Sequence, residues 1–287
     1  KAVEYLQQFV QPDGGIYQKG TPYRNYETCL ATALLAEVNQ QGQYDETIAA
    51  AEAFIKQLQW DQDENVDPSD PRYGGAGYGK HRRPDLSNTS FFIDTLKAVG
   101  RGPEDEALQK ALAFVSRCQN RYSQHNTTEF ATRNPDGGFY YTPAAGGQSQ
   151  AGTTANGGLR SYASMTYAGL KSMIYAGVEP EDPRVQAAYD WIREHYSLRS
   201  NPGMQNAGLY YYYHTFAKAL DALGVEHVVD ADGTQHDWRM ELIQEVARRQ
   251  RPDGSWVNTN ARWFEGDPNL VTSYALLALG YCQPAGT

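Results

Sequence analysis

Apolar and polar positions follow a helical period along nearly the whole chain, and two kinds of helical stretch alternate. The first kind carries a single apolar stripe and covers about 1–10, 46–59, 104–119, 182–196 and 237–250. The second runs from Glu27 to Val38, Asn88 to Val99, Tyr162 to Ala176, Tyr211 to Leu223 and Leu270 to Tyr281, and is rich in Ala, Ser, Thr and Leu on all sides. A stripe predicts a helix lying on a core, whereas small and apolar residues all round predict a helix enclosed by neighbours. Strand-type alternation is negligible. The pattern therefore predicts an all-α fold of about five outer–inner helix pairs.

Glycine turns punctuate the pairs: Gln11-Pro12-Asp13-Gly14-Gly15, Tyr73-Gly74-Gly75, Asn134-Pro135-Asp136-Gly137-Gly138, Asn201-Pro202-Gly203 and Arg251-Pro252-Asp253-Gly254-Ser255-Trp256. Several follow a helix end that reads aromatic, aliphatic, three residues, Gln, as in Phe54-Ile55 to Gln59 and Phe114-Val115 to Gln119. Proline cannot continue the helix and glycine supplies the positive φ that turns the chain back. Self-similarity at several tens of residues marks a repeat architecture, either an open stack or a closed ring. Inner helices that are apolar all round favour the ring, since an open stack leaves each of them one wet face. The whole of 1–287 reads as one α/α toroid domain.

Composition narrows the partners. Lys plus Arg is 25 against 34 for Asp plus Glu, a formal charge of -9, so a nucleic-acid or anionic-membrane surface would work against the net field. No apolar run reaches the roughly 18 to 20 residues of a membrane-spanning helix. Cys29, Cys118 and Cys282 are odd in number and far apart, and so form neither a disulfide framework nor a metal-binding pair among themselves. The segment from Pro143 to Gly158 is almost without hydrophobes, and reads either as a site-covering loop or as simple disorder. Lys1 falls inside a helical stretch, which reads as a trimmed form of a longer chain. The sequence carries no signal for compartment or oligomeric state.

These features resemble the α/α toroids of terpenoid cyclases and protein prenyltransferase β subunits, the prenyltransferase and squalene oxidase repeat. Gln250-Arg251-Pro252-Asp253-Gly254-Ser255-Trp256 fits the cyclase Q-x-x-D-G-x-W repeat at every fixed position, with Phe139 and Ile16 replacing the Trp in two other turns. Gly74 to Tyr78 leading into Asp85-Leu86-Ser87-Asn88-Thr89 is similar to the prenyltransferase approach to an inner helix, and Tyr213-His214-Thr215 to a Tyr-His-Thr helix start. The resemblance implies a central cavity holding an isoprenoid or other hydrophobic small molecule. Family toroids close with about six pairs, so a further pair preceding Lys1 is the favoured completion, a smaller ring the other.

The resemblance implies chemistry that the residues meet only in part. A squalene-type cyclase protonates an alkene through the middle Asp of D-x-D-D; the nearest string, Asp61-Gln62-Asp63-Glu64, reads as a solvated acidic loop. A prenyltransferase holds zinc through Asp-x-Cys and His; Glu27, Cys29 and His214 are the weak candidates, and otherwise no metal or cofactor is expected. Aligning the inner helices places Cys29, Ser90, Ser164 and His214 in one layer, and Asp94 and Lys218 one turn further on. Lone charges on apolar helices mark either a polar lumen or a structural ion pair, and His214, Asp94 and Lys218 are the inner-wall candidates, with Asp94 as proton donor if the protein is a cyclase. Lys80, His81, Arg82, Arg83, Arg24 and Arg160 collect beside inner-helix starts, and Arg82 and Arg160 are the expected anion binders. Tyr162, Tyr211 and Tyr213 are the expected ring wall. The leading expectation is an isoprenoid cyclase or prenyltransferase-like protein; the alternatives are a non-catalytic ligand-binding or protein-interaction scaffold, and a carbohydrate-active toroid with paired carboxylates.

Overall fold

The computed structural model describes residues 1–80 and 82–283. Ten α-helices occupy the described residues: α1 (Ala2–Gln7), α2 (Arg24–Val38), α3 (Asp45–Lys56), α4 (Leu86–Ala98), α5 (Glu106–Arg117), α6 (Ala163–Tyr175), α7 (Pro183–Glu194), α8 (Leu209–Leu223), α9 (Trp238–Arg248) and α10 (Pro268–Gly280). The even-numbered inner helices pack side by side in the order α2, α4, α6, α8, α10, and the odd-numbered ones lie outside them. Composition explains the division. Outer α5 buries a single stripe including Leu108, Ala111, Phe114 and Val115, whereas α6 is buried at every residue from Ala163 to Met173. This is the all-α toroid that the pattern predicts.

Four inner helices start two or three residues earlier than the apolar pattern indicates, and in α4 and α10 a polar cap rather than an apolar residue sets the end. Asp85 accepts from the Asn88 amide to start α4, and Asp267 does the same for α10 through Asn269. One strand pair escapes the pattern altogether: β1 (Val228–Val229) and β2 (Gln235–His236) form a short antiparallel hairpin ahead of α9.

The glycine turns join neighbouring pairs through a repeated set of hydrogen bonds. Asp13, Asp136 and Asp253 each accept, at 3.0–3.1 Å, from the amide two residues on, which closes the turn. The amides of Ile16, Ala76, Phe139 and Trp256 then donate to Thr28, Thr89, Thr166 and Thr272 of the following inner helix. Gln59 Nε2 donates both to the Gly74 carbonyl and to Ala107 at the start of α5; Gln119 Nε2 does the same with Gly137 and Arg184 of α7. Gln250 Nε2, among the described residues, donates to the Gly254 carbonyl alone. Gly74, at φ +81°, lies so close to α5 that a Cβ would sit 1.7 Å from the Lys110 carbonyl oxygen. A Cβ on Gly254 would meet nothing within 4 Å.

α2 and α10 meet through the Tyr26 and Tyr274 hydroxyls, 3.2 Å apart. Beyond that contact their edges stay open: Leu30 and Leu34 on α2 are 42% and 39% exposed, Leu276 and Leu277 on α10 57% and 50%. These two inner helices are therefore not enclosed all round, which corrects the expectation. The hydrophobe-poor segment is tied across the end that holds the inner-helix N-termini. Thr142 Oγ1 donates to the Pro84 carbonyl, Arg83 reaches Gln148 and Arg262 reaches Gln150, the last two at 2.6 Å. No described helix is long and apolar enough to cross a membrane.

Candidate functional site

The lone charges of the inner helices converge. Asp94 of α4 is 8% exposed and lies 2.6 Å from Lys171 Nζ of α6 and 2.8 Å from Lys218 Nζ of α8. Lys171, 2% exposed, also donates to Ser90 Oγ at 2.8 Å. Burial alone would raise the Asp94 carboxyl, but the two ammoniums outweigh it and hold it below the usual carboxylate range. Burial pulls Lys171 down to about 8 against the attraction of Asp94. For Lys218 burial is outweighed chiefly by Asp94, which leaves it above its ordinary value. His214, one turn before Lys218, is pushed down to about 3 by burial and by the two lysines, and so is neutral. Its Nδ1 is buried with no hydrogen-bond partner among the described residues. Near neutral pH the cluster thus holds two positive charges and one negative.

This geometry speaks against Asp94 as proton donor. A carboxyl clasped by two ammoniums stays ionised at the pH where it would have to give up a proton. The contact between Asp94 and Lys218 follows from the helix alignment, but the third member, Lys171, does not. It lies a further turn along α6 and reaches back because helical side chains lean toward the N-terminus. Its signal was the same one that marked the others, a lone charge on an apolar helix.

Toward the N-terminal ends of the inner helices, four aromatic rings from four helices form a circuit. Tyr26 meets Phe91 edge-on at 5.0 Å, Phe91 lies 6.2 Å from Tyr211, and Tyr211 lies 6.0 Å from Tyr274, whose hydroxyl returns to Tyr26. Tyr26, Tyr211 and Tyr274 are half-buried. The Tyr211 hydroxyl pairs with Ser87 at 3.0 Å. Beside it Asp85 is 1% exposed, and burial raises its carboxyl to about 6 against the hydrogen bonds from Asn88 and Tyr141. Sequence reasoning passed over Asp85 because it searched for an unbroken acidic string. Asp85-Leu86-Ser87-Asn88 has the spacing of D-x-D-D at an inner-helix start, with a hydroxyl and an amide in place of the second and third acids.

The other expected residues are dispersed. Tyr213 points outward: its hydroxyl donates to the Leu198 carbonyl at 2.6 Å and lies 3.4 Å from Glu245, so it is no part of the central wall. Tyr162 is buried at the start of α6, with burial and the nearby Tyr211 and Asp85 raising its hydroxyl. Arg82 and Arg160 are exposed on loops, Arg160 donating to the Thr153 carbonyl. His81 lies outside the described residues. Three inner-helix N-termini are already served by protein side chains: Asp85 caps α4, Asn201 accepts from Ser164 in α6, and Asp267 caps α10. Glu265, buried and unforeseen, accepts from the Tyr210 and Tyr211 amides of α8. An anion seat built from these termini with Arg82 and Arg160 is therefore corrected. Glu27 is spent on the Gln18 amide and Thr21, and the Cys29 thiol, pushed up to about 12 by burial, faces Asn25. The string Asp61 to Glu64 caps its own 3-10 turn, and Asp61 pairs with Lys110 at 2.8 Å.

No protein-family model matches the chain, and no curated protein does. Solved structures do. A protein from Actinoplanes superposes with TM-score 0.65 at 17% identity, over 99% of this chain and 73% of that one. An arginine-to-alanine variant of the type II terpene cyclase MstE from Scytonema, in complex with its substrate geranylgeranyl dihydroxybenzoate, gives TM-score 0.60 at 17% identity, over 98% and 70%. An aspartate-to-asparagine variant of MstE with the same substrate gives 0.57 at 17%, over 96% and 69%. At that identity the likeness concerns architecture, and the chain has a type II terpene cyclase-like fold.

Proposed function

We propose that this protein binds an isoprenoid or similarly apolar guest among its inner helices, with the circuit of Tyr26, Phe91, Tyr211 and Tyr274 as the contact surface. The observation that carries this reading is that circuit: four inner helices each contribute one ring, and three of the four residues are only half-buried. Aromatic faces and edges pack well on apolar chains. The terpene cyclase neighbours, solved with a prenylated substrate, add support. The reading is of binding, because Asp94 is ionised and the chain carries no complete D-x-D-D string.

A second reading, catalysis, is favoured by Asp85 alone, a buried carboxyl raised to about 6 beside the Tyr141 hydroxyl. The carbohydrate reading is not carried forward, since Asp94 is engaged by lysines and Asp85 caps a helix.

The test is native mass spectrometry of the purified chain incubated with geranylgeraniol. A one-to-one complex is expected, weakened about ten-fold in Phe91→Ala, in line with the loss of a buried aromatic contact. Folded protein that retains no guest removes the proposal. Cyclised alcohol in the same incubation, absent from Asp85→Asn, would establish the second reading.

A further inference from the structure

The Lys171–Asp94–Lys218 cluster is unusual in what it leaves over. Buried charges are normally matched, since a bare charge in a low-dielectric interior is costly. Here one carboxylate faces two ammoniums, at 2.6 and 2.8 Å, and the neighbouring groups do not supply the missing anion. Tyr175, whose ring lies 5.9 and 5.8 Å from the two ammoniums, is neutral because burial raises its hydroxyl, and Tyr281 is raised likewise. Asp221, one turn on from Lys218, is turned to Arg239 at 3.0 Å. His214 is neutral.

The surplus charge falls on Lys218. Lys171 is sealed, with Ser90 and Asp94 as partners, whereas Lys218 is 17% exposed and donates to Asp94, with the neutral Tyr281 hydroxyl beside it. His214 lies on the same face of α8, about 6 Å back along the helix at 1.5 Å per residue. It is 7% exposed, its ring sits against Tyr274 and Tyr281 at 5.9 and 6.1 Å, and its buried Nδ1 has no partner among the described residues. In the Nδ1–H tautomer His214 is a donor, so a charged donor and a neutral donor stand one turn apart.

We propose that Lys218 and His214 form a head-group seat for a single carboxylate, and that the guest of this protein is an apolar acid. Two donors suit the two oxygens of a carboxylate, and one surplus positive charge matches one negative charge. A neutral alcohol leaves the charge unmatched, and a diphosphate overshoots it. The aromatic circuit, which Tyr274 joins to His214, would take the apolar chain. This assignment rests on the reading that the inner helices hold an apolar guest, and its test separates the two.

Three probes share one chain: geranylgeraniol, geranylgeranoic acid and geranylgeranyl diphosphate. Titrating the full chain with each at pH 7.5 and constant salt should give the acid about ten-fold tighter binding than the alcohol, the usual scale of a hydrogen bond to a charged group. Lys218→Met leaves Asp94 paired with Lys171, and should bring the acid to the affinity of the alcohol while the alcohol stays within about two-fold of wild type. Should Lys218→Met fail to fold, His214→Phe keeps the ring stack and should weaken the acid selectively by about three-fold or more. If the alcohol binds and the acid binds no tighter, the head-group assignment falls and the apolar-guest reading stands. Tighter binding of the diphosphate also overturns the assignment. If no probe binds, both readings fall.

Discussion

His236 shows how one side chain can tie two elements. Its Nε2 lies 3.0 Å from Asp230 of the hairpin turn and its Nδ1 2.8 Å from Glu241 of α9, while its ring stacks on Tyr196 at 4.1 Å. Burial pulls the imidazole down, but the hydrogen bonds to Asp230 and Glu241 outweigh it and leave the ring above its ordinary value of 6.5. A group raised in the folded state adds stability that is fully present below the unfolded pKa and is lost as pH rises through the folded one. Stability should therefore decline from about pH 6 into the mildly alkaline range by about 0.5–1 kcal/mol, the usual scale of partly exposed pairs. Urea titrations of wild type and His236→Gln across that range check this. An equal slope in the variant would assign the pH dependence elsewhere. At this scale the sequence was only partly readable. Asp94 and Lys218 stood out as lone charges and do meet, but Lys171 was missed because its reach depends on side-chain lean, and Glu265 because it caps a helix 54 residues before it.

The helices and their turns were more legible, because each is written locally in apolar spacing, proline and glycine. What the local pattern could not show is the work of the repeated glutamine, whose second partner lies on the next outer helix, 48 residues away for Gln59 and 65 for Gln119. Gln119→Ala removes a buried amide that serves two carbonyls, leaving those of Gly137 and Arg184 without it, so a loss of about 2–3 kcal/mol is expected. Gln250→Ala removes one exposed bond to Gly254, and should cost less than about 1 kcal/mol. Denaturant melts of the two variants test the contrast, and equal losses would show that the reach to the next helix contributes nothing. The helix boundaries were misplaced by a few residues for a related reason: Asp85 and Asp267 begin α4 and α10 through hydrogen bonds, to which apolar periodicity is blind.

At the scale of the whole molecule, the ring was legible from the enclosed character of α4, α6 and α8, and a count of five pairs against about six already hinted at an incomplete one, but not which residues line its open edge. Leu30, Leu34, Leu276 and Leu277 look like core residues in the sequence, and only the arrangement of all five inner helices reveals that they are left outside. The strap across the N-terminal end was likewise undecided by composition, since its order comes from Arg83 and Arg262, 65 and 112 residues from the glutamines they hold.

The open space around Gly254 and the single bond of Gln250 give the molecule a weak side. The turns at Gly14, Gly74 and Gly137 press on α3, α5 and α7, whereas the turn at Gly254 is held chiefly by its own hairpin, Thr272 and the packing of α10 on α8. Sub-global opening draws on such loosely held units. Amides of α10 should therefore exchange with deuterium well before those of α6, whose protection should track global unfolding; uniform protection in the two would contradict this. Swinging aside, the last helix would part Tyr274 from Tyr26 and lay the interior bare along its length. A long, greasy molecule could then enter sideways, through a door, instead of threading past the strap.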